Sequence, residues 1–141
     1  MSFFQGKSIL NIIKKLLNRP SIYWSNFEFA SSLQLNEFVD LLLEPIEKTH
    51  SIYLIKLGLH EALVNAAKHG NKLDPNKNIR VRRIITPKWW IWQIQDQGDG
   101  LETNKRDYKL PKKISSVNGR GLYIINECFD DIRWSSKGNR L

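Results

Sequence analysis

The chain has 141 residues, 41% hydrophobic and 26% charged, with one cysteine and a formal net charge of +8. This is the mixture of a single globular domain that buries a core without covalent staples, and it excludes a disordered tail, a collagen-like repeat and a disulfide scaffold. Cys128 has no internal partner, no apolar run approaches the roughly 18 residues of a membrane span, and Lys7, Lys14 and Lys15 interrupt any signal-like stretch, so a cytoplasmic setting is expected. Charge is unevenly placed: residues 1–60 carry six Lys/Arg against five Asp/Glu, and residues 61–141 carry sixteen against nine. The basic second half suits an anionic partner (a nucleotide, a nucleic acid or an acidic protein surface), or it serves solubility alone.

Residues 3–19 set Ile9, Ile12, Ile13, Leu16 and Leu17 at helical spacing with Lys14 and Lys15 opposite, and Arg19-Pro20 ends the run. They predict an amphipathic helical extension over 1–20, too short to favour a membrane surface. The alternation around Phe27 and Phe29 predicts a strand over 22–30. Leu35, Phe38, Leu42 and Ile46 predict a helix over 35–49, with Pro45 as a kink or early stop. A second helix is expected from about Ile52 to His69, closed by Gly70-Asn71. Strands at 79–85 and 89–95, a third helix at 121–129 and a strand at 132–135 follow. The order strand, helix, helix, strand, strand, helix, strand predicts a two-layer α+β domain over 21–141, with three helices on one face of a largely antiparallel sheet.

The second helix is apolar nearly all round, which predicts burial, yet Glu61, Asn65 and His69 recur in it at intervals of four. An unpartnered buried carboxylate is costly, so this stripe should line a wet pocket or hold a cation, unless it marks a narrow solvent-facing edge. Further on, Trp90, Trp92, Ile94 and Asp96 share one strand face, and Gln97-Gly98-Asp99-Gly100 follows. A carboxylate at that strand end can accept a hydrogen bond from an exocyclic amine such as adenine's, and glycines spaced by one residue let backbone approach a ligand. The loop lacks the alternating oxygen ligands and bidentate acid of a calcium-binding loop. Finally, Gly119-Arg120-Gly121 leads straight into a helix, offering backbone N–H groups and a positive dipole end to phosphate. It is neither a dinucleotide fingerprint nor a P-loop.

In their order, these three elements resemble the GHKL (histidine-kinase-like) ATPase superfamily, and closely its anti-sigma-factor serine/threonine kinases. Residues 61–70, GluAlaLeuValAsnAlaAlaLysHisGly, are similar to that family's N box, while Asp96-x-Gly98-x-Gly100 and Gly119-x-Gly121 are similar to its two glycine boxes. The resemblance covers roughly residues 22–141 and implies the histidine-kinase-like ATPase fold, with ATP and Mg2+ as cofactors. It implies Asn65 as the Mg2+ ligand, Glu61 as general base, Asp96 as the adenine reader, Gly98 and Gly100 around the base, and Gly119 and Gly121 over the phosphates. His69 joins the nucleotide-binding set, and Arg120 is added as a cation beside the γ-phosphate. The segment between the glycine boxes is the expected lid, with Lys105, Arg106, Lys109, Lys112 and Lys113 against Asp107.

One departure concerns the C-terminal stretch. The family's threonine, which supports the adenine-reading aspartate, is replaced within Gly138-Asn139-Arg140-Leu141, and the final strand is expected to be missing or a stub. The implied function is an ATP-dependent kinase that binds a sigma factor and phosphorylates a small anti-anti-sigma (STAS-type) protein, with a tendency to form a homodimer. The alternative is a non-catalytic ATP-dependent binding module. A nucleic-acid binder is a third reading, but Trp89, Trp90 and Trp92 cluster on one strand, which suits core packing better than base stacking.

Overall fold

The computed structural model describes residues 22–46, 51–106 and 120–141. The expected extension over 1–20, Gly119, and lid residues 107–119 lie outside them. Alternating apolar side chains form three strands, β1 (Tyr23–Ala30), β2 (Asn78–Ile85) and β3 (Trp90–Gln95), in the spatial order β1-β2-β3 with every pairing antiparallel. The register sets Phe27 opposite Val81 and Val81 opposite Ile94, so one face of the sheet carries a continuous apolar row. On that face pack α1 (Asn36–Leu43), α2 (Ile52–Asn65) and α3 (Gly121–Cys128). Val39, Leu42, Leu59, Leu63, Ile79, Val81 and Ile125 are completely enclosed between the layers, and their burial is the main source of stability. Among the described residues no helix is long and apolar enough to cross a membrane.

The helix expected over 35–49 stops at Leu43, two residues before Pro45: proline has no N–H with which to continue the helical ladder, although Glu44 itself keeps helical φ and ψ. Its last carbonyls are met from the sheet: the Arg83 guanidinium donates to Leu41 O at 3.0 Å and Leu42 O at 3.3 Å, and lies 5.0 Å from the Phe27 ring. A cation at a helix C-terminus is favourable on both counts. The second helix keeps its α pattern only to Asn65, and Ala66–Gly70 form one π-helical turn. Nor is it buried all round: Leu57 is 46% exposed and Tyr53 75%. The apolar stripe is wider than the face that α3 and the sheet cover.

Two further corrections concern β3 and the C-terminus. Trp92 and Ile94 pack inward as expected, but Trp90 sits at the open end of the sheet, beyond the helices, and is 39% exposed. Residues 132–135 form no strand. The Ser135 N–H donates to Arg140 O at 2.8 Å and the Gly138 N–H to Ser135 O at 2.9 Å, so the chain reverses there instead of joining a ladder. The residues after this turn make the stub: Ile94 and Leu141 exchange N–H···O bonds of 2.9 Å, and Gln95 and Arg140 form an isolated antiparallel bridge.

Candidate nucleotide site

The end of α2, the π turn, the end of β3, the start of α3 and the C-terminal stub enclose a cavity of about 470 Å³, within the usual range for small-molecule sites. Asn65, His69, Asp96, Gly100 and Gly121 line it, as do Leu101, Lys105 and Trp134. Five residues singled out in the sequence thus converge on one space from three separate segments.

At one end lies Asp96. Its Oδ1 accepts the Gly98 N–H at 2.8 Å, and its second oxygen remains as an acceptor for a ligand. Burial raises the carboxyl pKa above the ordinary 3.8, while the Gly98 amide and the more distant Lys137 and Lys77 oppose that rise. The carboxylate lies so close over Gly70 that a methyl group there would overlap it, and a methyl at Gly98 would overlap the Gly70 carbonyl. Both glycines are therefore required by close approach. Gly98 itself is buried behind the cavity wall.

At the other end, α3 begins directly over α2. A Cβ built on Gly121 would stand 3.2 Å from the amide atoms of Asn65 and 3.2 Å from Glu61 Oε2. Glu61, absent from the cavity lining, thus sits beside Asn65, where the first N–H groups of α3 have no side-chain cap. Uncapped helix N–H groups, an amide oxygen and a carboxylate in one place suit a phosphate chain with its metal. Arg120 is not part of the cavity wall, and its buried Nε finds no hydrogen-bond partner.

The site fits an adenine nucleotide. It has an apolar middle (Ile94, Leu101, Leu122), a half-buried carboxylate at one end and an uncapped helix start at the other. It also fits Mg2+ arriving with the nucleotide, since the Asn65 side-chain oxygen beside the uncapped start of α3 is a hard ligand of the kind that ion takes. Asn65 would contribute one oxygen, leaving phosphates and water for the rest.

Three wall or support residues escaped the sequence reading. Trp134 fell in an expected strand, but it lines the cavity with the Arg106 guanidinium 5.6 Å from its ring. Arg106 is itself held by Leu101 O at 2.8 Å and 3.0 Å. Asn71, read only as a helix stop, is 0% exposed and bridges two segments. Asn139, in the stretch that lacks a threonine, holds the Asp96 main chain from both sides: its carbonyl accepts the Asp96 N–H at 3.0 Å and its Nδ2 donates to Asp96 O at 3.3 Å. A polar residue following a glycine stop was the only signal for Asn71, and nothing in the sequence marked Trp134.

The family model described as Histidine kinase-like ATPase domain matches residues 46–141. No curated protein matches the chain.

Proposed function

The chain belongs to the histidine kinase-like ATPase domain family, and from that premise we propose that it is an ATP-dependent serine/threonine kinase which binds a sigma factor and phosphorylates a small STAS-type anti-anti-sigma protein. The observation that carries this reading is the side-by-side placement of Glu61 and Asn65 beneath the start of α3, both 3.2 Å from the point where a Cβ on Gly121 would stand. Binding alone needs the amide and the helix N-terminus. A carboxylate at the same spot adds a proton acceptor for an incoming hydroxyl.

In this reading Asp96 accepts the adenine amine, Leu101 and Ile94 cover the faces of the base, and Asn65 would hold the Mg2+ that comes with the nucleotide. The Mg2+ supplies charge neutralisation for the transferred phosphoryl group. Glu61 takes the proton of the attacking serine or threonine, whose oxygen bonds to the γ-phosphorus as the bond from that phosphorus to the β,γ-bridging oxygen breaks and ADP leaves, and the start of α3 fixes the phosphate chain for this transfer. Lys105 lines the cavity and is paired with Glu102 at 2.9 Å, so it can exchange a carboxylate for a phosphate oxygen as ligand binds.

The test is phosphotransfer from labelled ATP to candidate antagonist proteins, compared between wild type and Glu61→Ala, with nucleotide affinity measured in parallel. The proposal expects Glu61→Ala to bind ATP with affinity close to wild type and to lose transfer by at least about a hundredfold. Transfer at the wild-type rate by Glu61→Ala would remove Glu61 as the base. A wild-type protein that binds ATP and its partners but transfers nothing would establish the non-catalytic module, the reading favoured by the replacement of the supporting threonine.

A further inference from the structure

We propose that Asn71 is a positioning residue that sets the base selectivity of the cavity by fixing the main chain immediately after Asp96, an inference that rests on the adenine-nucleotide reading above. Every polar group of Asn71 is engaged. Its N–H donates to Ala66 O at 2.8 Å across the π turn, and its carbonyl accepts the Asp74 N–H at 3.1 Å. Its Oδ1 accepts the Gln97 N–H at 2.7 Å, and its Nδ2 donates to Asn78 O at 3.0 Å. The orientation of the amide is unambiguous, because a backbone N–H can meet only the oxygen. One fully buried side chain therefore ties the end of α2, the first residue of β2 and the loop after β3 into a single unit.

A helix stop requires none of this. An apolar side chain would fill a buried position without needing two partners, and a buried amide is tolerated only when satisfied. The local backbone also carries a cost. Lys72 and Leu73, directly after Asn71, both have positive φ, 58° and 57°, a conformation unfavourable for residues with a Cβ. With the π turn, these two residues hold Asn71 in place beneath the loop. The neighbour on its other side, Gly70, is the surface against which the Asp96 carboxylate rests. Residues 70 and 71 thus locate the carboxylate and the next peptide at once. Hydrogen-bond selection between an amine and a carbonyl on a purine depends on that location to within a few tenths of an ångström. Release of the Gln97 amide frees Asp96 to shift and relaxes the choice of base.

The experiment compares ATP and GTP dissociation constants in wild type, Asn71→Ala and Asn71→Asp, with urea unfolding of each. Aspartate keeps the acceptor for the Gln97 N–H, loses the donor to Asn78 O and sets a buried carboxylate oxygen against that carbonyl, whereas alanine loses both hydrogen bonds. We expect Asn71→Ala to lower the ATP-over-GTP preference by about three- to tenfold, the value of one hydrogen bond, and Asn71→Asp to keep that preference although it is less stable. A purely structural role predicts that both variants lose stability with the preference unmoved, and that result overturns the proposal. Wild type that shows no adenine preference would instead overturn the adenine reading, which keeps the two failures apart. Hydrogen exchange of the wild-type Gln97 amide stands independent of any variant's folding. Protection of this amide supports the anchor, and exchange at the rate of an open loop removes it.

Discussion

Burial holds the Asp96 carboxyl above its ordinary value of 3.8, against the pull of the Gly98 amide and of Lys137 and Lys77. An acid whose native pKa is raised binds its proton more tightly when folded than when unfolded. Stability therefore falls as pH rises from 3.8 through the raised native value, and the penalty is complete above it. Ionising this carboxyl therefore works against the fold, as expected of a group that serves a ligand. Asp96→Asn keeps an oxygen for the Gly98 N–H and carries no charge. Chemical denaturation should show this variant more stable than wild type at pH 7, with the difference shrinking as pH falls towards 3.8. Calorimetry should show that it has lost adenine-nucleotide affinity. Equal stability at all pH values would mean that the Asp96 charge costs the fold nothing.

The π turn carries a second prediction, at the scale of elements. Ala66–Gly70 swing the end of α2 so that Gly70, not a side chain, faces β3. Gly70→Ala would press a methyl into the Asp96 carboxylate, an overpacking of about 1–3 kcal/mol that also displaces the group proposed to read adenine. Thermal unfolding should register the loss, and nucleotide binding should weaken more than in a cavity-wall variant such as Leu101→Ala. This element also shows what could be read in advance. The nearly all-apolar run through residues 57–67 specified a helix with Glu61, Asn65 and His69 along one side, and Asn65 and His69 do line the cavity. The change from α to π hydrogen bonding over five residues could not be read, because one turn is too short for a wider hydrophobic period to differ from one of about 3.6. The strand expected at 132–135 failed for a related reason. Ile132 and Trp134 alternate as in a strand, but pairing is decided by the partner, and β3 takes residues 139–141 instead. Asn71 and Asn139 were illegible as site residues because their work is done through backbone atoms distant in sequence.

At the scale of the whole molecule, the formal charge of +8 has to be reconciled with a small binding cavity. The cations of the segment between the glycine motifs divide into two kinds. Lys105 is paired with Glu102, and Arg106 is fixed on the Leu101 carbonyl and over Trp134. Lys105 belongs to the cavity wall, and Arg106 holds two wall residues, Leu101 and Trp134. Lys109, Lys112 and Lys113 lie outside the described residues, and their chemistry alone sets the expectation. Replacing all three by alanine lowers the formal charge from +8 to +5. Exposed charges chiefly steer encounter, and they are screened over about 8 Å at physiological ionic strength. The triple variant should therefore lose little ATP affinity and should associate more slowly with an acidic protein partner, the deficit being largest at low salt and fading as salt is raised. Stopped-flow association across a salt series, with ATP affinity measured on the same samples, checks both halves. A large drop in ATP affinity would assign the three lysines to the phosphates, and association at the wild-type rate in low salt would remove them from partner recognition.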